Sequence, residues 1–239
     1  MPNQSFAFKQ FSIDQDKCAM KVGTDAVLLG SWIHACDVEN ILDIGTGTGI
    51  IALMIAQKSN STSTIDAIDI DKNAFIQAKE NANNCKWKER INIYYSSFQN
   101  FSANSLKKYQ LIVSNPPYFV DSSKSSAEAR TTARHTDLLS FEELIEGVLR
   151  ILDRKGKFCV ILPSKEGELF KDMAENKYLY LTKLTRVKTT AEKPEKRLLM
   201  QFELERKPFS ENSIIIEKDE RHSYTDEYKE LTKDYYPGF

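Results

Sequence analysis

No stretch of the chain approaches the roughly 18 uninterrupted apolar residues that a membrane-crossing helix requires. Residues 1–8 also lack the basic-then-apolar layout of a secretory leader, so a cytoplasmic protein with no membrane partner is expected. Cysteine is scarce. The four thiols, Cys18, Cys36, Cys85 and Cys159, are scattered without a CxxC pair, which predicts reduced cytosolic thiols and no metal site. An excess of charge of one sign is missing too. The formal net charge is −1, whereas a general nucleic-acid binder advertises a basic balance. Any contact with nucleic acid must therefore rest on a local patch. There is no internal repeat, and the longest biased run is the Ser/Thr stretch 59–64, which reads as a turn.

The chain does have 239 residues, 41% of them hydrophobic, enough to bury one sizeable core. Phe6, Phe8, Phe11 and Ile13 alternate as short strands do. Thr24 or Asp25 can cap a helix over 26–32. A regular alternation then begins. Strands are predicted at 41–44, 64–70, 91–95, 111–113 and 158–162, with a closing pair at 178–187 and 198–204. Helices are predicted over 50–56 and from residue 72 onward, where Ala74, Phe75, Ala78 and Ala82 recur at helical spacing and Asp71 is the natural cap. Ser140 and Glu143 form a capping box ahead of Leu144, Ile145, Val148 and Leu149, the best helix signal in the chain. Strands alternating with helices imply an α/β fold, a doubly wound and mostly parallel seven-stranded sheet with both faces covered. One domain is expected over 1–239: an N-terminal β extension to residue 22, a catalytic core over 23–207, and a C-terminal segment, 208–239, with no assignable task. Such sheets bind ligands at the carboxyl ends of their strands.

The first strand runs directly into Asp43-Ile44-Gly45-Thr46-Gly47-Thr48-Gly49, which opens a helix. The glycines are spaced G-x-G-x-G, and Ile50 stands where a dinucleotide fingerprint wants its third glycine or an alanine. Glycines here let the backbone turn sharply and let a ligand rest on bare main chain. Asp43 can accept hydrogen bonds from that loop or from a cationic ligand. Asp69, ending the second strand, stands where nucleoside-binding α/β folds keep an acidic side chain for the ribose hydroxyls.

Ser114-Asn115-Pro116-Pro117-Tyr118 follows the fourth strand at the same edge. Each residue before a proline is held extended, and proline fixes its own φ. The loop is thus stiff, presenting the Asn115 side-chain carbonyl and the Pro116 main-chain carbonyl as preset acceptors. A planar amino group has two N–H donors and a delocalised lone pair. Two fixed acceptors orient it and favour the pyramidal geometry in which that lone pair attacks. Tyr118 offers a face for a stacked base, worth roughly 1–3 kcal/mol.

In this order, Asp43 to Gly49, Asp69 and Asn115 to Tyr118 resemble the class I, Rossmann-like S-adenosylmethionine (AdoMet)-dependent methyltransferases of the NPPY type. The resemblance implies AdoMet as cofactor, with Gly45, Thr46, Gly47 and Gly49 around its methionine part and Asp69, beside Ile70, at its ribose. Ser97 and Phe98 fall where an acidic residue and its neighbour meet the cofactor's adenine; the usual Asp is Ser97 here. It also implies that Asn115, Pro116, Pro117 and Tyr118 are the catalytic loop.

NPPY alone does not separate an adenine amino group from a glutamine amide. Protein glutamine methyltransferases of this type carry a helical domain before the catalytic one, and only some twenty residues precede Gly23. DNA adenine methyltransferases need a base-reading module that the residues after Tyr118 cannot supply. The segments Phe8-Lys9-Gln10-Phe11, Met20-Lys21-Val22-Gly23-Thr24-Asp25, the NPPY-Phe119 loop and Ala133-Arg134-His135 resemble the bacterial tRNA(Val) adenine-N6 methyltransferases. That likeness implies tRNA as partner and an adenine, at position 37, flipped onto Tyr118. It places Thr24 and Lys21 near the cofactor, Lys21 also within reach of the substrate. Arg130, Arg134 and His135 can hold phosphates beside the base. Lys183, Arg186, Lys188, Lys193, Lys196 and Arg197 form the one local basic region, with only Glu192 and Glu195 as acids nearby in sequence, so Lys188 and Arg197 are candidate tRNA contacts. Action as a monomer is expected. A protein or small-molecule N-methyltransferase remains the alternative.

Overall fold

The computed structural model describes residues 5–18, 21–117, 139–218 and 220–239. Two short strands, β1 (Ser5–Ala7) and β2 (Ser12–Asp14), pair as an antiparallel hairpin. Then come α1 (Thr24–Trp32), β3 (Asn40–Ile44), α2 (Ile50–Lys58), β4 (Thr64–Asp69), α3 (Lys72–Asn83), β5 (Ile91–Tyr95), α4 (Phe98–Asn104) and β6 (Tyr109–Ser114). The chain continues through α5 (Phe141–Ile151), β7 (Leu152–Pro163), α6 (Ser164–Asn176), β8 (Tyr180–Lys188), β9 (Glu195–Glu203), β10 (Ser210–Ile215) and α7 (Asp226–Thr232).

Strands β3 to β10 form one sheet in the order β10-β8-β9-β7-β6-β3-β4-β5. Among the described strands only β9 runs against the rest, antiparallel to both β7 and β8. The mostly parallel α/β sheet is as the alternation predicts, with one strand more than the seven expected. The eighth is β10, pairing parallel with β8 from within the C-terminal segment. Its first four residues, Ser210 to Ser213, are exposed. An edge strand of this kind lacks the apolar alternation that betrays a half-buried one.

Successive side chains of a strand point to opposite faces, and here both faces are covered. Ile41, Leu111, Val113, Cys159 and Ile161 join a core with α1, α2 and the N-terminal hairpin. Leu42, Ile112, Phe158 and Val160 join a second core with α5 and α6. That double coverage explains why the strands read as near-continuous apolar runs. The local signals for two helices hold as well. The Asp71 side chain accepts from Ala74 N at 2.7 Å to cap α3. Ser140 and Glu143 form both bonds of a capping box, at 3.2 and 2.9 Å. Helix α1 differs: its cap residue is Gly23 and no side chain caps it. Asp25 is instead turned toward Arg197, 2.7 Å from its guanidinium.

Candidate active site at the carboxyl edge of the sheet

The glycine loop is shaped by three left-handed residues, Gly45, Gly47 and Gly49, with φ of 69°, 59° and 84°. An L-residue pays on the order of 1–2 kcal/mol in that region, glycine almost nothing. The loop leans on β4: Gly45 N and Thr46 N both donate to the Ile68 carbonyl, at 2.9 and 3.0 Å. Nothing lies within 4 Å of where a side chain would begin at Gly45 or Gly47. Bare backbone therefore faces open space just ahead of the α2 N-terminus.

Beneath the loop, Asp43 is completely buried. One carboxylate oxygen accepts from Thr46 Oγ1 at 2.6 Å, and the other has no hydrogen-bond partner. Burial pushes this carboxyl up to about 7, while the Thr46 bond and the nearby Ala52 amide pull the other way. An orphaned buried acceptor below an open cradle suits a cationic ligand group. Asp69 ends β4 with both oxygens oriented, Oδ2 accepting from Gly47 N at 2.8 Å and Oδ1 from Asp71 N at 2.9 Å. Burial raises its pKa also, opposed by those two amide bonds. Ile70 beside it is 42% exposed. Ser97 caps α4 by accepting from Asn100 N at 3.3 Å, which leaves its hydroxyl hydrogen available to a ligand acceptor. Phe98 next to it is buried.

The NPPY loop starts beside this cradle. Ser114, Ile44, Ile68 and Tyr94 lie in one register row across β6, β3, β4 and β5. Ser114 Oγ donates to the Ile44 carbonyl at 3.1 Å, fastening the two strand ends together. Neighbouring strands are about 4.8 Å apart, so Asn115 begins one strand from Gly45 and two, roughly 10 Å, from Asp69. Pro116 is buried, Pro117 exposed and Asn115 half-buried. Tyr118, Arg130, Arg134 and His135 lie outside the described residues. The glycine loop, Asp43, Asp69 and Asn115 thus converge.

The flanking candidates are distributed differently. Lys21 donates to the carbonyls of Gln15 and, at 3.2 Å, Cys18, so its ammonium braces the preceding turn. Thr24 and Arg197 line a separate cavity beyond the ends of β8 and β10. The basic region needs a correction, because its acids are not only those nearby in sequence. Arg186 meets Glu195 at 2.9 Å, Glu168 of α6 at 3.2 Å and Glu211 of β10 at 2.5 Å. Lys183 lies over the Trp32 ring, 4.4 Å from its centroid. Lys188, the last residue of β8, is half-buried. Tertiary pairing has consumed part of the patch.

Two residues of the site carry no obvious sequence signal. Asn81, buried on α3, donates to both Thr48 O and Asp14 O at 2.8 Å, tying the glycine loop to the N-terminal hairpin. Its polarity among Ala74, Ala78 and Ala82 was the available clue. Gly147 of α5 sits where a Cβ would come 2.3 Å from the Phe98 ring. Among the described residues no helix is long and apolar enough to cross a membrane, and no group of three His, Cys, Asp or Glu side chains could hold a metal.

Comparison with known proteins gives the family. Residues 18–168 match the family model described as the methyltransferase small domain. A tRNA1(Val) (adenine(37)-N6)-methyltransferase of Trichodesmium erythraeum is 44% identical over 237 residues, covering 99% of each chain. One of Christiangramia forsetii is also 44% identical, again over 99% of both. Among solved structures, a predicted O-methyltransferase from Agrobacterium tumefaciens superposes with a TM-score of 0.69 at 16% identity, covering 88% of this chain and 96% of that one. That likeness concerns the fold alone. With the family model spanning most of the sheet and the relatives spanning the whole chain, this protein belongs to the methyltransferase small-domain family and, within it, to the family of the tRNA1(Val) (adenine(37)-N6)-methyltransferases.

Proposed function

We propose that this protein methylates the exocyclic N6 of an adenine in tRNA, the adenine at position 37 of tRNA1(Val), with AdoMet as donor. The observation that carries the reading is the row of Asn115, Gly45 and Asp69 at the ends of three adjacent strands. A chain 44% identical to enzymes named for that reaction supports the choice of substrate. AdoMet suits the residues present. The open backbone at Gly45 and Gly47 admits its methionine part, Asp43 offers an unpartnered oxygen below it, and Asp69 is oriented for the ribose hydroxyls. Thr46 and Gly49 complete that side, and Ile70, Ser97 and Phe98 border the adenine; Thr24 lies on the separate cavity instead.

When bound, AdoMet supplies a methyl group on a cationic sulfonium, which leaves as a neutral thioether. The protein's task is then to position the amine. Asn115 and Pro116 accept its two N–H bonds and Tyr118 stacks the base, so that the lone pair points at the donor. The nitrogen becomes cationic before it loses a proton, so a strong base is not required. Residues 23–207 are the catalytic core, and Lys21, Lys188, Arg197, Arg130, Arg134 and His135 are candidate contacts to the RNA. The enzyme works in the cytoplasm as a monomer.

The test is incubation with labelled AdoMet and unmodified total tRNA, followed by digestion to nucleosides. Label is expected in N6-methyladenosine, falling about 100-fold or more in Asn115→Ala, the scale of losing an oriented polar contact at the reacting centre. Protein that binds AdoMet yet leaves all RNA unlabelled refutes the reading. Label in a glutamine-containing peptide instead would assign the site to an amide.

A further inference from the structure

The C-terminal segment, which the sequence alone leaves without a task, walls a cavity of about 420 Å³. That volume lies within the range of small-molecule and nucleotide sites. The cavity opens beyond the carboxyl ends of β8 and β10, at the same edge of the sheet as Asn115. One wall is Thr24 and Asp25 at the start of α1. A second is the start of β9 with Lys196 and Arg197, and the third is the C-terminal turn with Arg221, His222 and Tyr224.

This wall is built rather than draped. Ile216 N and Glu217 N donate to the carbonyls of Lys188 and Thr189 at 3.0 and 2.8 Å. Tyr224 packs into an aromatic cluster, tilted against Tyr228 and edge-on to Phe239, ring centroids 5.3 and 5.2 Å away. Tyr235 Oη reaches the Met54 carbonyl at 3.0 Å, and Lys9 Nζ clamps the terminal carbonyl of Phe239 at 2.7 Å. Against this rigid base His222 takes a left-handed φ of 67°, a strained conformation for a non-glycine residue, which places Arg221 and His222 on the cavity. Strain of that kind persists only where surrounding structure enforces it.

The charges distinguish one kind of occupant. Asp25 is paired with Arg197, and Glu217 accepts from His222 N at 3.0 Å. Lys196 and Arg221 are both exposed at the rim. Cations at the mouth with an aromatic wall behind them match a nucleotide, phosphate outward and base inward. Strand β8 is three spacings from β6, about 14 Å, a reach that single-stranded RNA covers in a few nucleotides.

We propose that this cavity is a second RNA subsite, which takes one nucleotide near the target adenine, its phosphate between Lys196 and Arg221 and its base against Tyr224. The proposal rests on tRNA being the substrate. It gives segment 208–239 the role of holding the RNA strand at a fixed distance from the reacting base.

Two variants test it on the full-length protein, with tRNA binding followed as a function of salt. Lys196→Ala/Arg221→Ala should raise the KM for tRNA on the order of tenfold, with AdoMet affinity and melting temperature unchanged. The slope of log affinity against log salt should become shallower by about 0.7, for the one single-strand phosphate that is no longer neutralised. Thr189→Trp, which fills the cavity without touching charge, should raise the KM while leaving the slope as it is. An unchanged KM in both variants of an enzyme that methylates tRNA overturns the subsite alone. A raised KM in the double variant with none in Thr189→Trp also overturns it, reducing the cations to a surface patch. A wild-type protein that neither binds nor methylates tRNA removes the parent reading and this one together.

Discussion

Asp43 should make the stability of the ligand-free protein fall as pH rises through the neutral range. The carboxyl is completely buried, holds one hydrogen bond from Thr46 and has its second oxygen unpartnered. Burial holds it at about 7 in the folded protein, against roughly 3.9 in an unfolded chain. Between those values the folded state keeps a proton that the unfolded state has released. Folding therefore gains most below about pH 4, and the gain is lost as pH climbs through 7. A gap of about three pH units corresponds to about 4 kcal/mol in full. Over the accessible interval from pH 5 to pH 8 the loss should be about 2–3 kcal/mol. Asp43→Asn retains an acceptor for Thr46 but cannot titrate. Urea unfolding of the two proteins across that interval should give curves that converge or cross rather than run parallel, because other groups cancel in the difference. Asp69, whose pKa is also raised by burial, is present in both. A cationic ligand beside Asp43 should expel the same proton, so AdoMet affinity should improve with pH up to about 7 in the wild type only. Parallel unfolding curves would refute the assignment of a protonated buried carboxyl beneath the glycine loop.

Two further outcomes follow from the packing of α5 and the pairing of Arg186. Gly147→Ala would place a Cβ 2.3 Å from Phe98 Cε1 and 3.0 Å from Ser102 Oγ, so Phe98 must shift at an overpacking cost of about 1–3 kcal/mol; calorimetry should show weaker AdoMet binding with tRNA affinity unaltered, and unaltered AdoMet binding would separate Phe98 from the cofactor. Arg186→Gln leaves Glu168, Glu195 and Glu211 facing one another; partly exposed pairs are worth a few tenths each, so denaturant unfolding should register a loss of about 1 kcal/mol, and the KM for tRNA should stay at its wild-type value.

The glycine loop, the acids at the strand ends and the start of the Asn115 loop were legible because their signals are local in sequence. A glycine that must be left-handed, an acid at a strand end and a residue held before proline are each written within a few positions. Their order along the chain suffices, since a parallel sheet returns every strand's carboxyl end to one edge. Asn81 and Gly147 were not legible for the opposite reason. Each acts through a partner far away in sequence, Thr48 and Phe98, and becomes meaningful only when a helix is laid on the sheet. Strand β10 escaped because an exposed edge strand does not need apolar alternation. Its pairing with β8 is also what carries the C-terminal segment to the cavity.

The same distance in sequence misled the reading of charge. Lys183, Arg186, Lys188, Lys193, Lys196 and Arg197 form a basic run when only near neighbours are counted. Folding brings Glu168 from α6 and Glu211 from β10 onto Arg186, and Asp25 from α1 onto Arg197. Those carboxylates belong to elements that must dock for the sheet to close, so the cations they meet serve the docking of α6, β10 and α1 before they serve any ligand. A protein of net charge −1 then cannot draw RNA to itself through a broad field. Placed cations then matter more than net charge, and among the described residues Lys196 and Arg221 border the cavity at the carboxyl edge. Weak general attraction and a small number of placed contacts suit an enzyme that must choose one adenine in one tRNA, because sequence-independent affinity would hold every tRNA equally well.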